Sequence, residues 1–353
     1  MPPAEDLMPR LESVLYSGML AEGESVYEFE RRFSDHFGLG EVLAFSSGSG
    51  ALHVALLSCG VGPGDEVITT SMTAEPTNTT ILQVGATPVF ADVEAETGNL
   101  DPASIEERIG SKTRAILVVH YAGYPVRIEH IRTIADRHGL MLIEDCAHAL
   151  GAFYNEKPVG SFGDAAIFSF QAIKHMTTID GGALVLRDRS SIKEARCLRW
   201  FGLEKGVPRT EIDIARAGFK YNMTNVAATI GLSQLEGING DISKHQSNGQ
   251  FFDRELSNIS GMSVVPIEFA SDPSYWIYTL LADDSEEVER SLAAVGVAAS
   301  KLHRPNHLHS VFAPFQVDLP GLDKFYRQLV HIPCGWWIGD AERELIVDTL
   351  RRG

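Results

Sequence analysis

The stretch AAIFSFQAIKHMTTIDGGA, residues 165–183, decides the fold and locates the chemistry. Its first four residues are apolar without interruption, which predicts a buried strand. Ser169, a short turn and a single lysine, Lys174, follow, and the stretch closes on Gly181 and Gly182. Because paired glycines let a backbone approach another group closely, we predict a lysine at the edge of a pocket. Such an amine can form a Schiff base with a carbonyl, although a solvated loop lysine is the alternative for this stretch taken alone.

Outward from this stretch, near-continuous apolar strands alternate with helical patterns from Val42 to Val185. This alternation predicts an α/β protein whose mostly parallel central sheet carries helices on both faces. A long helical pattern from Thr224 to about Leu256 leads into a region of short strands and helices. With 353 residues, the chain is expected to form two domains. We predict a large domain at 1–240, with an N-terminal helical segment, and a smaller C-terminal α+β domain at 241–353.

Composition narrows the classes of function. The net charge of −17 argues against a nucleic-acid-binding surface, which would be basic. No apolar run reaches the ~18 residues of a membrane span, and the first residues do not resemble a secretory signal. The cysteines are far apart and form no C-x-x-C pair: Cys59, Cys146, Cys197 and Cys334. We therefore expect reduced thiols, a cytoplasmic protein, no metal site, and neither nucleic acid nor membrane as a partner.

Candidate site residues follow the predicted strands, because ligands of open parallel sheets bind beyond the carboxyl ends of the strands. These positions are Ser47–Gly50, Thr70–Thr77, His120 with Tyr121, Asp145–His148, and Ser169 with Lys174. The SSGSGAL turn opens a helix whose free N–H groups suit a phosphate. The turn is not G-x-G-x-x-G, so the dinucleotide fingerprint fails, and an ordinary glycine-rich helix cap is the alternative.

Asp145 ends an apolar strand, where a carboxylate needs a cationic partner. A protonated pyridine nitrogen would be such a partner, and an arginine is the alternative. His148 could lie over or beside a ring, or be structural. A phosphate cradle, a buried aspartate and a Schiff-base lysine together make the set that pyridoxal 5′-phosphate requires. The aspartate would keep the ring nitrogen protonated, and Lys174 would carry the cofactor and then act as acid and base.

Several long motifs occur in order: SSGSGAL, GVGPGDEVI, GATPVFADVE, IEDCAHALGA, GSFGDAAIFSFQAIKHMTTIDGGAL and GFKYNMTNVAATIGLSQL. Over most of residues 25–240 the chain resembles the DegT/DnrJ/EryC1/StrS family of sugar aminotransferases, which have the type I aminotransferase fold. The resemblance implies an enzyme that uses pyridoxal 5′-phosphate to convert a keto-sugar, mostly nucleotide-linked, to an amino sugar. It also implies an amino acid such as glutamate as the amine donor, and a homodimer with shared active sites.

The resemblance further implies roles for individual residues. Lys174 would carry the cofactor, Asp145 would pair with the pyridine nitrogen, and His148 would lie near the ring hydroxyl. The phosphate would be held by residues of two subunits: Gly48, Ser49 and Ser169 from one, and Lys220 or Asn222 from its neighbour.

The chain departs from the family pattern at three places. Family members usually carry an aromatic residue two positions after Thr73, which stacks on the pyridine, whereas this chain has Ala74 and Glu75. Stacking is therefore lost or supplied elsewhere, for example by His148. Ile179 stands where a glycine or an acid is usual. The C-terminal region is shorter than is common in the family, so the resemblance does not define the part of the site that binds the substrate.

The substrate end is expected near the run KLHRPNHLH, residues 301–309, the most basic part of an acidic chain. A local positive patch could receive a diphosphate, and a solvated loop is the alternative. The candidate substrate contacts are Tyr121, Tyr124, Arg199, His303, Arg304 and His307. We expect Trp336 and Trp337 in the core.

Three other functions stay open beside the sugar aminotransferase. The same chemistry could make an amino cyclitol. A sugar dehydratase of the same fold would carry a histidine in place of the lysine, so Lys174 speaks against it. A non-catalytic, cofactor-binding regulatory relative is kept open by Ala74 and Glu75.

Overall fold

The computed structural model describes residues 1–268 and 270–352. The helices are α1 (Ala4–Tyr16), α2 (Glu24–Phe37), α3 (Gly48–Ser58), α4 (Glu75–Gln83), α5 (Pro102–Arg108), α6 (Ile128–His138), α7 (Ile192–Leu198), α8 (Asn225–Leu235), α9 (Ile238–Leu256), α10 (Ser285–Ala294), α11 (Pro320–Gln328) and α12 (Asp340–Arg352). The strands are β1 (Val42–Phe45), β2 (Glu66–Thr70), β3 (Thr87–Ala91), β4 (Thr113–Val119), β5 (Met141–Asp145), β6 (Phe153–Tyr154), β7 (Lys157–Pro158), β8 (Ala165–Ser169), β9 (Gly182–Leu186), β10 (Met262–Val264), β11 (Ser271–Asp272), β12 (Tyr278–Ala282) and β13 (Leu329–Ile332).

The central sheet has seven strands in the order β1-β9-β8-β5-β4-β2-β3. Strands β8, β5, β4, β2 and β3 pair in parallel, and β9 runs antiparallel to both of its neighbours. The predicted α/β class with a mostly parallel sheet is therefore confirmed. The parallel strands all end at one edge of the sheet, which brings the turns after them together.

Helices cover both faces of this sheet. Successive residues of each strand point to opposite faces, so that Leu43 and Phe45 pack with α3, α4 and α7, while Val42 and Ala44 pack with α2 and α8. Helices α5 and α6 cover the rest of the second face. Burial on both faces explains why the strands are apolar at consecutive positions.

The C-terminal region forms a smaller unit around the antiparallel sheet β10-β12-β13. Its core is aromatic and aliphatic, and includes Phe252, Tyr278, Leu292, Phe325 and Leu350. A further small sheet, β11-β6-β7, joins this region to the turn after β5. Among the described helices, none is both long and apolar enough to cross a membrane.

The predicted single helix from Thr224 to Leu256 is wrong: α8 ends at Leu235 and α9 begins at Ile238. Gly237 precedes α9, and a glycine disfavours a continuous helix at that point. The start of α9 packs into the core of the large sheet and its end into the core of the small region, through Ile238 and Ile242 in the first and Phe252 and Leu256 in the second. The division into 1–240 and 241–353 stays a prediction.

The expectation that Trp336 and Trp337 lie in the core is also wrong. The two residues are 48% and 56% exposed in the turn before α12. Cys334 of the same turn is buried instead, and its thiol lies 3.1 Å from the carbonyl oxygen of Tyr275. The small side chain fills the core position, and the two indoles are left at the surface.

Candidate active site

A cavity of about 340 Å³ lies beyond the carboxyl ends of β4, β5 and β8. Its lining comes from six parts of the chain: Ser47–Leu52 in part, Thr73–Thr77, Val119, Asp145–His148 in part, Ile167–Gly181 in part, and His303. The volume suits a ligand of coenzyme size. The cavity therefore occupies the place at which the sequence predicts it.

The loop after β8 is held by backbone hydrogen bonds. The amide of Phe170 donates to the carbonyl of Gly181 at 2.9 Å, and the amide of Thr178 donates to the carbonyl of Phe170 at 2.9 Å. Within this closed loop the amide of Lys174 donates to the carbonyl of Gln171 at 3.0 Å. The lysine is thus presented from a fixed turn rather than from a free loop.

Lys174 lines the cavity and is partly buried. Its Nζ lies 4.0 Å from the centroid of the Trp276 ring. Burial lowers the pKa of Lys174 from 10.5 to about 8, and the carboxylate of Asp145 opposes part of that shift. A lysine with a lowered pKa is neutral in a larger fraction near pH 7, which is the form that attacks a carbonyl.

Asp145 is buried at the end of β5, in the same cavity. One carboxylate oxygen accepts from the amide of Ala147 at 3.0 Å, and the other accepts from the hydroxyl of Thr77 at 2.9 Å. Burial raises the pKa of Asp145, and these two hydrogen bonds act in the opposite direction by favouring the ionised form. The result is a fixed carboxylate that still needs a cation in the cavity.

The residues predicted to hold a phosphate line one end of the cavity: Gly48, Ser49 and Ser169. Ser47 caps α3 by accepting from the amide of Gly50 at 3.0 Å, which leaves the first N–H groups of the helix at the cavity. A side chain on Gly48 would come within 3.1 Å of Cβ of Ser169, and one on Gly182 within 2.6 Å of the amide nitrogen of Gly48. These glycines let three elements meet around an anion site.

His148 is buried in a group of aromatic rings. Its ring stacks on Trp276 with centroids 3.9 Å apart and planes at 16°, and it lies parallel to His303 at 5.7 Å. Burial holds the pKa of His148 well below its usual range, so the imidazole is neutral. Its buried Nδ1 has no hydrogen-bond partner among the described residues, which leaves it free for a ligand hydroxyl.

The small region also fixes the turn before α4 and the start of that helix, where Thr77 lies. The side-chain amide of Asn306 donates to the carbonyl of Thr73 at 2.7 Å, and its oxygen accepts from the side chain of Asn78 at 2.9 Å. The backbone amide of Asn306 donates to the carbonyl of Ser71 at 2.8 Å. Thr73 and Thr77 share a further hydrogen bond of 2.9 Å. A buried network therefore connects the small region to the partner of Asp145.

Most of the predicted substrate contacts lie outside the cavity. Tyr121 is buried behind His148, with ring centroids 6.0 Å apart, and Tyr124 is buried in the core of the small region. His307 is buried and hydrogen-bonded to the hydroxyl of Ser71 at 2.7 Å. Arg304 is exposed, and of the run 301–309 only His303 lines the cavity.

The structure corrects the prediction for Arg199. Its guanidinium is fully buried and donates to Glu30 at 2.5 Å, to Glu22 at 2.8 Å and to the carbonyl of Ala44 at 2.6 Å. A buried arginine needs such carboxylate partners, and here they join α2 to β1. The residue stabilises the N-terminal region and does not face the cavity.

Lys220 and Asn222 do not line the cavity of their own chain. The amine of Lys220 donates to the side-chain oxygen of Asn222 at 2.5 Å and lies 4.2 Å from the centroid of Trp200. Lys220 is exposed, so its amine is accessible to a second copy of the chain.

The structure locates two of the residues at which the chain departs from the family pattern. Glu75 begins α4 at the cavity, half-exposed, with a carboxylate oxygen 3.7 Å from the ring of His309. Ile179 is 60% exposed and has a φ of +74°, a left-handed conformation that is unfavourable for a β-branched residue. A glycine would adopt this conformation without strain.

His120, Glu144 and Cys146 place three potential metal ligands close together in the interior. The carboxylate of Glu144 already accepts hydrogen bonds from three backbone amides, those of Gly160, Phe162 and Gly163, and contacts His120 at 3.2 Å. The group is thus a hydrogen-bonded support under β5, since these contacts use the oxygens that a cation would need.

The sequence interpretation misses Thr77, Trp276 and Asn306. Thr77 lies in the segment 70–77 that the sheet rule selects, so a search for partners of a buried carboxylate could have found it. Trp276 and Asn306 carry no local signal, because only the packing of the small region brings them to the cavity.

The residues fit pyridoxal 5′-phosphate. The N-terminus of α3 with Ser49 and Ser169 provides donors for the phosphate, the buried carboxylate of Asp145 can pair with the pyridine nitrogen, and Lys174 is placed for the aldehyde. The unpartnered Nδ1 of His148 is available to the ring hydroxyl. When bound, this group supplies an electron sink that labilises a bond at the carbon carrying the amine.

The fold and the site thus define a pyridoxal-phosphate enzyme with the type I aminotransferase fold. The model of the DegT/DnrJ/EryC1/StrS aminotransferase family matches residues 3–351, and the chain belongs to that family. The predicted family, aminotransferase activity and coenzyme are confirmed.

Individual relatives agree with this assignment. The chain is 34% identical over 302 residues to a GDP-perosamine synthase of Caulobacter vibrioides, covering 84% of this chain and 81% of that protein. The crystal structure of the sugar aminotransferase CalS13 from Micromonospora echinospora superposes with a TM-score of 0.96 at 36% identity, covering 99% of this chain and 97% of that one. The Streptococcus pneumoniae protein Spr1654, described as a putative sugar aminotransferase, is known in a PLP form and a PMP form, and each is 26% identical and covers 99% of this chain. The PLP form has a TM-score of 0.91 with 95% of that chain covered, and the PMP form has a TM-score of 0.92 with 94% covered.

Proposed function

We propose that this aminotransferase converts a nucleotide-linked keto-sugar to an amino sugar, with an amino acid such as L-glutamate as the amine donor. The observation that carries the proposal is that Lys174 and Asp145 line the same cavity as the residues predicted to hold a phosphate, Gly48, Ser49 and Ser169. The sugar class is supported by the relatives, of which one is a GDP-perosamine synthase and another a sugar aminotransferase.

In this proposal Lys174 both attaches the coenzyme and moves the proton. Its lowered pKa, about 8, allows the amine to serve as base and its conjugate acid to return the proton. Asp145 holds the pyridine nitrogen in its protonated form through the ionised carboxylate that Thr77 and Ala147 support. Neutral His148 orients the ring through its free Nδ1.

We propose that the substrate binds at the part of the cavity lined by Glu75 and His303. Both residues line the cavity, and Glu75 is exposed to solvent. Their carboxylate and imidazole suit the hydroxyl groups of a sugar ring. Arg304 follows His303 in the chain and is exposed, and we propose that its guanidinium binds a diphosphate outside the cavity.

We propose a homodimer with shared sites. Among the described residues that line the cavity, Lys174 is the only lysine or arginine and is assigned to the aldehyde, so a further cation would balance the charge of a bound phosphate. Lys220 is exposed and supplies one from a second copy. Helix α1 and the loop after it expose apolar side chains that a partner would cover: Met8, Leu15, Tyr16, Met19 and Leu20.

Complementation tests the shared site. Lys174→Met and Lys220→Ala are each expected to be nearly inactive alone. After unfolding and refolding together, half of the dimers are mixed and each mixed dimer regains one complete site, so about a quarter of wild-type activity should return. Absence of any recovery, with mixed dimers demonstrated by mass spectrometry, would contradict sharing.

A half-reaction tests the activity. Mixing the yellow holoenzyme with L-glutamate should convert the bound coenzyme to its pyridoxamine form, with loss of the visible band. Nucleotide-linked keto-sugars, free keto-sugars and keto-cyclitols are then compared as acceptors. Amine formed from keto-cyclitols alone would favour the cyclitol alternative. A spectrum unchanged by any amine donor would favour the regulatory one.

We also propose a cytoplasmic protein. The four cysteines are free in the structure, and Cys59, Cys146 and Cys334 are buried apart from one another. Mass spectrometry of the protein from its source, after thiol labelling under denaturing conditions, should find all four reduced.

A further inference from the structure

Trp276 reaches the catalytic lysine from the small region. The residue precedes β12 and is 7% exposed. Its ring centroid lies 4.0 Å from Nζ of Lys174, and its Nε1–H donates to the carbonyl of Ile173 at 2.8 Å. The same ring stacks on His148 at 3.9 Å. One side chain therefore contacts the amine, the backbone beside it and the neighbouring imidazole.

We propose that Trp276 is a positioning residue for Lys174. The carbonyl of Ile173 belongs to the planar peptide unit whose nitrogen is that of Lys174, so the indole hydrogen bond fixes the direction in which the lysine leaves its loop. The ring face then holds the amine by a cation–π contact, which is stronger at a partly buried site than in water. This role rests on the proposed function.

The contact also bears on the aromatic residue that the family pattern places in the turn before α4. Ala74 and Glu75 line the cavity without offering a ring, and among the described lining residues no phenylalanine, tyrosine or tryptophan is present. Trp276 places an indole directly behind this lining, against Lys174 and His148. Aromatic surface is thus supplied by the small region instead of the turn before α4.

Fluorine NMR of the cofactor-free protein tests the contact. Labelling with 5-fluorotryptophan gives four resonances, and Trp276→Phe identifies the one of interest. We expect this resonance to titrate with a midpoint near 8, the pKa of Lys174, and to lose that titration in Lys174→Met. Burial lowers the pKa of His148 well below its usual range and that of His303 to about 4, so neither imidazole titrates near 8. Burial raises the pKa of Asp145, and the Lys174→Met variant separates any titration of this carboxylate from that of the amine. A resonance that behaves identically in wild type and Lys174→Met would overturn the proposal.

Variants of the holoenzyme test the consequence. Trp276→Phe keeps the ring face and loses the N–H donor, Trp276→Leu loses both, and Trp336→Leu is the control at an exposed tryptophan. For Trp276→Leu we expect kcat to fall about tenfold with KM for the donor changed less than about twofold. The visible circular dichroism per bound coenzyme should fall with kcat, with Trp276→Phe intermediate and the control unchanged.

The outcomes separate the two proposals. Wild-type kcat and visible dichroism in Trp276→Leu would overturn the positioning role while leaving the aminotransferase intact. Failure of every keto-sugar as acceptor would overturn the substrate assignment and leave the NMR result standing. If Trp276→Leu does not fold, the positioning role is tested by the kcat and visible dichroism of Trp276→Phe and by the fluorine titration. Wild-type values in Trp276→Phe, together with a fluorine resonance that is the same in wild type and Lys174→Met, would then overturn the role.

Discussion

The active site consists of residues from the large sheet with its helices and residues from the small region, and the fold positions these two groups in different ways. We call the first group the large-domain half and the second the small-domain half. In the large-domain half, Asp145 ends a strand of the central sheet, and Ser49 and Lys174 follow strands of the same sheet within a few residues. In the small-domain half, Trp276 hydrogen-bonds a residue 103 positions away, and Asn306 one 233 positions away. The sheet edge fixes the first half through local geometry, whereas the second depends on how two cores pack. We expect chemistry to reside in the first half and positioning in the second.

The largest effect is expected at Lys174. Lys174→Ala removes both the attachment point and the acid–base group, so kcat should fall at least about 10⁴-fold and the visible band of the lysine-bound coenzyme should vanish. His303→Ala, in the small-domain half, should cost no more than about tenfold. Steady-state kinetics on both variants checks the division, and equal losses would contradict it.

Asp145→Asn should have the next largest effect. Without the carboxylate the pyridine nitrogen loses its protonated form, so kcat should fall on the order of 10²–10³-fold while the coenzyme binds more weakly. Spectroscopic titration with the coenzyme measures the binding, and glutamate half-reactions measure the rate. Near-normal turnover would remove Asp145 from the mechanism.

The network from Asn306 to Thr77 should have a moderate effect. Thr77→Val removes a hydrogen bond to the ionised carboxylate, so the pKa of Asp145 should rise and the acidic limb of the kcat–pH profile should move to higher pH, with kcat about 10–100-fold lower. Asn306→Ala should move the same limb less.

Asn306→Ala should also cost about 1–3 kcal/mol of stability, because it removes the donor to the buried Thr73 carbonyl and one of the two acceptors of the buried Asn78 side-chain amide, which keeps only the carbonyl of Thr70. Urea unfolding measures this loss, with exposed Asn258→Ala as the control. A pH profile unchanged in both Thr77→Val and Asn306→Ala would show that the network is structural only.

The smallest effect concerns the pH at which the coenzyme attaches. Only the neutral amine attacks, and burial lowers the pKa of Lys174 to about 8, so the attachment rate should rise with pH and level off above that value. Stopped-flow absorbance on the cofactor-free protein measures the midpoint, and exposed Lys193→Ala should leave it unchanged. A midpoint near the ordinary value of 10.5 would contradict the burial of the amine.

Much of the large-domain half could be predicted from the sequence. Apolar runs of four to seven residues with glycine-rich turns mark the strands, and the rule for parallel sheets then brings Gly48, Asp145, Ser169 and Lys174 together. The topology alone has this effect, because residues at the carboxyl ends of neighbouring parallel strands lie side by side.

The other half could not be predicted in this way. Arg199 carries the same charge in a substrate site and in a buried ion pair, and only the positions of Glu22 and Glu30 decide between them. Trp276 and Trp336 are equally apolar, yet one packs on the lysine and the other is 48% exposed. Composition and periodicity do not encode which surface of a small unit meets the large one.

The central claim is that Lys174 carries the coenzyme in a site completed by the small region. The holoenzyme is reduced with borohydride, digested and mapped by mass spectrometry. We expect the reduced coenzyme on the peptide that contains Lys174, at one equivalent per chain, and on no other lysine. Attachment at Lys220 or another surface lysine, with Lys174 unmodified, would contradict the account.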